Sequence, residues 1–77
     1  MRHNQDASLL YTLGRLCERQ QLWGKAQTYL EASLALDNHW RAHVALGEML
    51  AKLDRRTEAD AHFAAALRLA LAELERR

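Results

Sequence analysis

Four histidines and one cysteine are the residues of this 77-residue chain best suited to bind a metal ion or haem iron. His39 and His43 are four positions apart, a spacing that brings two side chains to one side of a helix, but we expect His39 to lie in a turn. We expect His62 to stand alone on the last helix, and His3 belongs to a polar N-terminal tail. No cysteine pair or carboxylate completes a ligand set, so we predict no metal site and no cofactor.

Catalytic residues are also missing from the pattern. The sequence contains no serine or cysteine with an evident histidine partner, no glycine-rich phosphate loop and no dense carboxylate cluster. Cys17 is the only cysteine, which excludes an intrachain disulfide and fits a reducing compartment. We therefore predict that the chain is not an enzyme.

The charge balance and the apolar runs restrict the partners. Eleven basic and ten acidic residues give a net charge of +1, so the chain lacks the basic excess typical of nucleic-acid binding. No apolar run approaches the roughly 20 residues that cross a bilayer. We expect no nucleic-acid partner and no membrane contact by this segment.

An Ala- and Leu-rich composition without proline, and nearly without β-branched residues, favours helix throughout. Apolar residues at three-and-four spacing predict four helices, at about 7–20, 23–36, 40–53 and 58–74. Asp6 and Thr57 are the expected N-caps of the first and last helix, and Asn38 is expected to end the second in the left-handed conformation. The connecting turns are short, so the fold class is all-α with antiparallel neighbouring helices.

A repeat relates the two halves of the chain. Small and bulky residues recur at a constant offset of 33, as 47 − 14, 59 − 26 and 63 − 30 show. The residues expected to pack the helices together are Gly14, Ala26, Leu30, Gly47, Ala59 and Phe63. Glycine and alanine at these positions let two helix axes approach closely, and such internal repeats indicate a stacked helical module.

This pattern resembles the tetratricopeptide repeat (TPR). The residues that carry the resemblance are Leu13-Gly14, Trp23, Ala26, Leu30 and Ser33, and then Leu46-Gly47, Ala59, Phe63 and Ala66. The resemblance implies two tandem TPR units at about 7–39 and 40–73. They would form a single domain over 7–77, a right-handed superhelical solenoid segment, with a disordered N-terminus at 1–6. Asn38 stands where the family usually has proline, and Arg56 occupies the place of an aromatic residue.

The stretch LYTLGRLCERQQLWGKAQTYLEASL is similar to the C-terminal repeats of HemY-type TPR proteins of proteobacteria. Those proteins are anchored in the inner membrane and are associated with haem and porphyrin metabolism. The resemblance implies a fragment of a larger protein whose anchor lies upstream and whose repeats are cytoplasmic. It also raises an alternative function, a regulatory domain that binds haem or a porphyrin through Cys17 or a histidine.

In the TPR family the first helix of each repeat lines a concave groove that binds a protein or peptide. By position, the groove residues implied here are Tyr11, Arg15, Arg19, Arg41, Glu48 and Lys52. Four of these are basic, which favours an acidic partner, because guanidinium groups pair with carboxylates bidentately. We therefore predict a protein-interaction scaffold.

The last helix carries Leu67, Leu71 and Leu74 beyond the point where a further repeat would cover it. Two repeats are fewer than the about three that usually bury a continuous core. We expect weak homo-oligomerisation through this helix, and a purely structural oligomerisation module is a further alternative function.

Overall fold

The computed structural model describes residues 6–77, which form four α-helices and contain no β-strand. The helices are α1 (Ala7–Arg19), α2 (Trp23–Leu36), α3 (Trp40–Lys52) and α4 (Arg56–Glu75). The expected all-α class is confirmed, and the bounds differ from the expected ones by one or two residues. Residues 1–5, including His3 and most of the N-terminus expected to be disordered, lie outside the described part.

Contacts group the helices into two units, which divide between Asn38 and His39. Each unit is a helical hairpin. In the first, the Ser33 hydroxyl near the end of α2 donates to the carbonyl of Ala7 at the start of α1, at 2.8 Å. In the second, the Trp40 indole at the start of α3 donates to Glu73 Oε1 near the end of α4, at 3.1 Å. Both bonds join the start of one helix to the end of the other, so each pair is antiparallel.

The first hairpin turns at Gln20–Leu22. Gln21 has a φ of 62°, in the left-handed region, and its N–H donates to the carbonyl of Glu18 at 2.9 Å. The N–H of Leu22 donates to the carbonyl of Cys17 at 2.9 Å. These two bonds make the Schellman arrangement, which satisfies carbonyls at the C-terminus of α1 that the helix itself leaves unbonded.

The second hairpin turns in the same way. Asp54 has a φ of 64°, and its N–H donates to the carbonyl of Ala51 at 3.0 Å. The N–H of Arg55 donates to the carbonyl of Leu50 at 2.9 Å. Every atom pair lies 33 residues after its counterpart in the first turn, so the offset read from side chains is also present in the backbone.

Two helices begin at side-chain caps. Asp6 Oδ1 accepts from the N–H of Ser8 at 2.8 Å, as expected from the sequence. His39 Nδ1 accepts from the N–H of Ala42 at 3.4 Å at the start of α3. Such caps satisfy N–H groups that have no partner within the first helical turn.

Two expectations about helix ends were wrong. Thr57 is not the N-cap of α4, because the helix begins at Arg56 with Arg55 at the cap position and no side-chain cap bond. The Schellman turn includes Asp54 and Arg55, so α4 starts at Arg56, two residues before the expected start at residue 58. Asn38 does not end α2 in the left-handed region, since among residues 6–77 the non-glycine residues with positive φ are Gln21 and Asp54. The chain leaves α2 through Asp37 in extended conformation.

Each hairpin has a close contact between a glycine of one helix and a side chain of the other. A Cβ on Gly14 would lie 2.7 Å from Leu30 Cγ and 3.3 Å from the carbonyl oxygen of Ala26. A Cβ on Gly47 would lie 2.6 Å from Phe63 Cε1. Both distances are shorter than a carbon–carbon contact allows, so the absence of a side chain lets Leu30 and Phe63 pack on helix backbone.

Among residues 6–77, none of the four helices combines the length and the hydropathy that a membrane span requires.

Candidate interaction surface

The expected groove residues of the first unit lie on α1. Tyr11, Arg15 and Arg19 are four positions apart, which puts them along one stripe of the helix. Arg19 is exposed, while Tyr11 and Arg15 are half-buried. The stripe is therefore accessible mainly at its C-terminal end, where Arg19 also complements the negative end of the helix dipole.

Glu18 changes the electrostatics of this stripe. Its carboxylate is 6% exposed, and Glu18 Oε1 lies 3.6 Å from Arg15 Nε. A carboxylate removed from water needs a compensating charge, and Arg15 supplies it to Glu18. The positive charge that the α1 stripe offers to a ligand is thus concentrated at Arg19.

The expected groove residues of the second unit lie on α3. Arg41, Glu48 and Lys52 are seven and four positions apart, hence on one side of the helix, and all three are exposed. The guanidinium carbon of Arg41 lies 4.8 Å from the centroid of the Trp40 ring, a cation–π contact. This stacking orients the guanidinium while leaving its hydrogen-bond donors at the surface.

Two histidines that the sequence seemed to separate are in contact. His43 Nδ1 on α3 lies 3.0 Å from His62 Nδ1 on α4, with ring centroids 5.2 Å apart and ring planes inclined by 36°. The expectation that His62 stands alone was wrong. Burial lowers the pKa of His43, and the neighbouring His62, His39 and Arg68 lower it further.

Sequence reasoning missed this pair because it compared His43 only with His39. The pair could have been predicted from the stripe of α3 that contains Gly47, because that stripe packs against α4. His43 lies one turn before Gly47, and His62 directly precedes Phe63, so both histidines flank the close contact. Within residues 6–77 no group of three or more His, Cys, Asp or Glu side chains is arranged to hold a metal ion.

The leucines of the last helix are exposed. Leu67, Leu71 and Leu74 have exposed fractions of 61%, 48% and 63%. Their spacing of four and three residues puts them on one stripe of α4. An apolar stripe of this kind on a small domain is typical of a surface that another chain or segment covers.

The described residues thus define a chain of two αα-hairpins with matching turns and matching close contacts. Comparisons with models of protein families, with curated proteins and with solved structures found no match.

Proposed function

We propose that this chain is a tandem pair of tetratricopeptide repeats that serves as a scaffold for protein–protein interaction. The observation that carries the proposal is the offset of 33 residues, which relates the close contacts at Gly14 and Gly47 and also the backbone turns at Gln21 and Asp54. An arrangement repeated at both levels supports two copies of one helical repeat unit.

The proposed binding surface consists of the stripes on α1 and α3. Exposed Arg19, Arg41 and Lys52 supply positive charge, and an orienting aromatic ring holds Arg41. Charge-assisted hydrogen bonds to carboxylates are stronger than neutral ones, so the proposed partner is an acidic protein segment or peptide. Binding should weaken as salt is added, because these side chains are solvated.

A peptide-binding experiment tests this proposal. The probe is a fluorescein-labelled Glu-rich peptide, and fluorescence anisotropy is followed with the full chain in low and moderate salt. We expect the variant Arg19→Glu/Arg41→Glu/Lys52→Glu to bind about tenfold more weakly than the wild type, because its stripes would repel the probe.

The matched control is Arg56→Glu/Arg76→Glu/Arg77→Glu, which changes the net charge equally but lies on α4 and its C-terminus. This control should bind as the wild type does. Equal weakening by both variants would mean that only net charge matters, and it would contradict a dedicated surface on α1 and α3.

We further propose that the chain is part of a larger HemY-like protein of the bacterial cytoplasm, with an anchor in the inner membrane. The support is the similarity of residues 10–34 to the C-terminal repeats of HemY-type proteins. A haem titration separates the scaffold from a haem-binding regulatory domain, because coordination by Cys17 or a histidine would shift the Soret band. An unchanged Soret band would favour the scaffold.

A structural oligomerisation module is a second candidate, and the exposed stripe of Leu67, Leu71 and Leu74 favours it. Sedimentation equilibrium over a range of concentrations would detect weak self-association. The variant Leu67→Lys/Leu74→Lys should then be monomeric at concentrations where the wild type associates. A wild type that stays monomeric throughout would exclude this function for the isolated chain.

A further inference from the structure

The hydrogen bond between His43 and His62 depends on how many protons the two imidazole rings carry. Their Nδ1 atoms are 3.0 Å apart, a normal length for an N–H···N hydrogen bond. Such a bond needs a hydrogen on one nitrogen and a lone pair on the other. A neutral imidazole can supply either, whereas an imidazolium carries hydrogen on both nitrogens. The bond therefore exists when the pair holds one extra proton or none, and it cannot exist when both rings are protonated.

The groups around His43 oppose protonation. His62 and Arg68 approach it from α4, and His39 acts on it from the start of α3. All three are bases, so a proton on His43 adds positive charge to these neighbours. Burial of His43 acts in the same direction and is the largest cause of its lowered pKa.

Glu58, one turn before His62 on α4, is an acidic group near the pair. It interacts with His62, but the hydrogen bond from Arg55 is the main reason why the pKa of Glu58 is lowered.

The pair lies beside the close contact of its hairpin. His43 is one helical turn before Gly47, and His62 directly precedes Phe63, whose ring packs against Gly47. Repulsion between two imidazolium rings would push α3 and α4 apart beside the close contact of Phe63 with Gly47. The first hairpin lacks this chemistry, because Leu10 and Tyr29 stand at the corresponding positions.

We propose that His43 and His62 form a pH-sensitive clamp between α3 and α4, closed at neutral pH and opened by acidification. Opening requires the second proton on the pair. This inference concerns the conformation of the second hairpin and does not depend on the proposed scaffold function.

The direction of the pH effect follows from linkage. When the hairpin unfolds, His43 regains its ordinary pKa of about 6.5, so the unfolded chain binds more protons than the folded chain below that pH. The contribution of His43 is complete above about pH 7, and it is lost as the pH falls through 6.5 towards the lower pKa of His43 in the folded state.

The test compares urea unfolding of the full wild-type chain and of the variant His43→Leu/His62→Tyr between about pH 7.5 and about pH 5. The variant installs the residues of the first hairpin. His39, which caps α3 through Nδ1, is present in both proteins. We expect acidification to raise the unfolding equilibrium constant of the wild type several-fold more than that of the variant. Equal pH dependence would overturn the proposal.

A second measurement needs no variant. Nitrogen-15 NMR of the histidine rings at neutral pH should show one of the two rings protonated at Nδ1 and the other at Nε2, as the hydrogen bond demands. On acidification the second ring should take its proton only as the amide signals of α3 and α4 change. Two rings with the same mobile tautomer mixture and independent titrations would show that no clamp exists.

Discussion

Replacing Gly14 or Gly47 with alanine should destabilise the chain, whereas the same replacement at Gly24 should stabilise it. Alanine is the better helix former by about 1 kcal/mol in a helix interior, so propensity alone favours all three changes. The expected changes in stability differ because the space available to the new Cβ differs among the three positions. At Gly24, an exposed residue in the first turn of α2, no atom lies within 4 Å of that position.

At Gly14 the Cβ would lie 2.7 Å from Leu30 Cγ and 2.8 Å from Leu30 Cδ2. Leu30 is fully buried, so its side chain cannot turn away into solvent. Adding a methyl group to a packed contact costs typically about 1–3 kcal/mol. Subtracting the propensity gain of about 1 kcal/mol leaves a net loss of stability of about 1 kcal/mol.

At Gly47 three atoms of the Phe63 ring would lie 2.6 to 2.9 Å from the Cβ. A ring is rigid and must tilt as a whole, although Phe63 is only half-buried and has room on its solvent side. We expect a net loss of about 1–2 kcal/mol. The gain at Gly24 should be below about 1 kcal/mol, because propensity matters less near a helix terminus.

Urea unfolding followed by far-ultraviolet circular dichroism measures all three variants. The expected order of the midpoints is Gly24→Ala above wild type, and wild type above Gly14→Ala and Gly47→Ala. Leucine lacks Cε1 and Cζ, so Gly47→Ala should cost less in a Phe63→Leu background, which a double-mutant cycle detects. A midpoint raised by Gly14→Ala or Gly47→Ala as much as by Gly24→Ala would refute the close-contact reasoning.

Three further substitutions follow from the turns and from the first hairpin. Gln21→Gly and Asp54→Gly should each raise the urea midpoint and the free energy of unfolding, the latter by roughly 0.5–1 kcal/mol, because glycine adopts the left-handed φ without strain. The gain should be larger at Gln21, since Asp tolerates the left-handed region better than Gln does. Ser33→Ala, which introduces the residue type of position 66, should lower the free energy of unfolding by about 1 kcal/mol in the same assay, because the buried hydroxyl would no longer donate to the carbonyl of Ala7. An unchanged midpoint would show that this hydrogen bond contributes nothing to stability.

Much of the fold could be predicted because it depends on local properties. A composition without proline and nearly without β-branched residues leaves helix as the main option, and apolar spacing gives the helix bounds to within one or two residues. The offset of 33 residues then identified Gly14 and Gly47 as related positions, and the structure has both in close contact with a side chain of the opposite helix.

The helix ends were harder to predict because several residues compete for each cap. Thr57 is a good N-cap by residue type, but the Schellman turn before it determines where helical geometry begins. Asn38 tolerates the left-handed region better than Gln21, yet Gln21 adopts it, since the tight turn after α1 requires that φ and the extended link after α2 does not. The histidine pair was missed for a related reason, because it depends on how α3 and α4 face each other.

The differences between the two hairpins bear on function more than their similarities. Positions that build the hairpin keep their type, as Ala26 and Ala59 do, and both are fully buried. Positions on the exposed side of the first helices change, and Ser8 of α1 corresponds to Arg41 of α3, a change from a neutral to a charged side chain. Since the hairpin forms with either residue, stability does not determine these positions. Under the proposed scaffold function they are therefore the positions at which selection for a particular partner can act, and a ligand should distinguish one hairpin from the other.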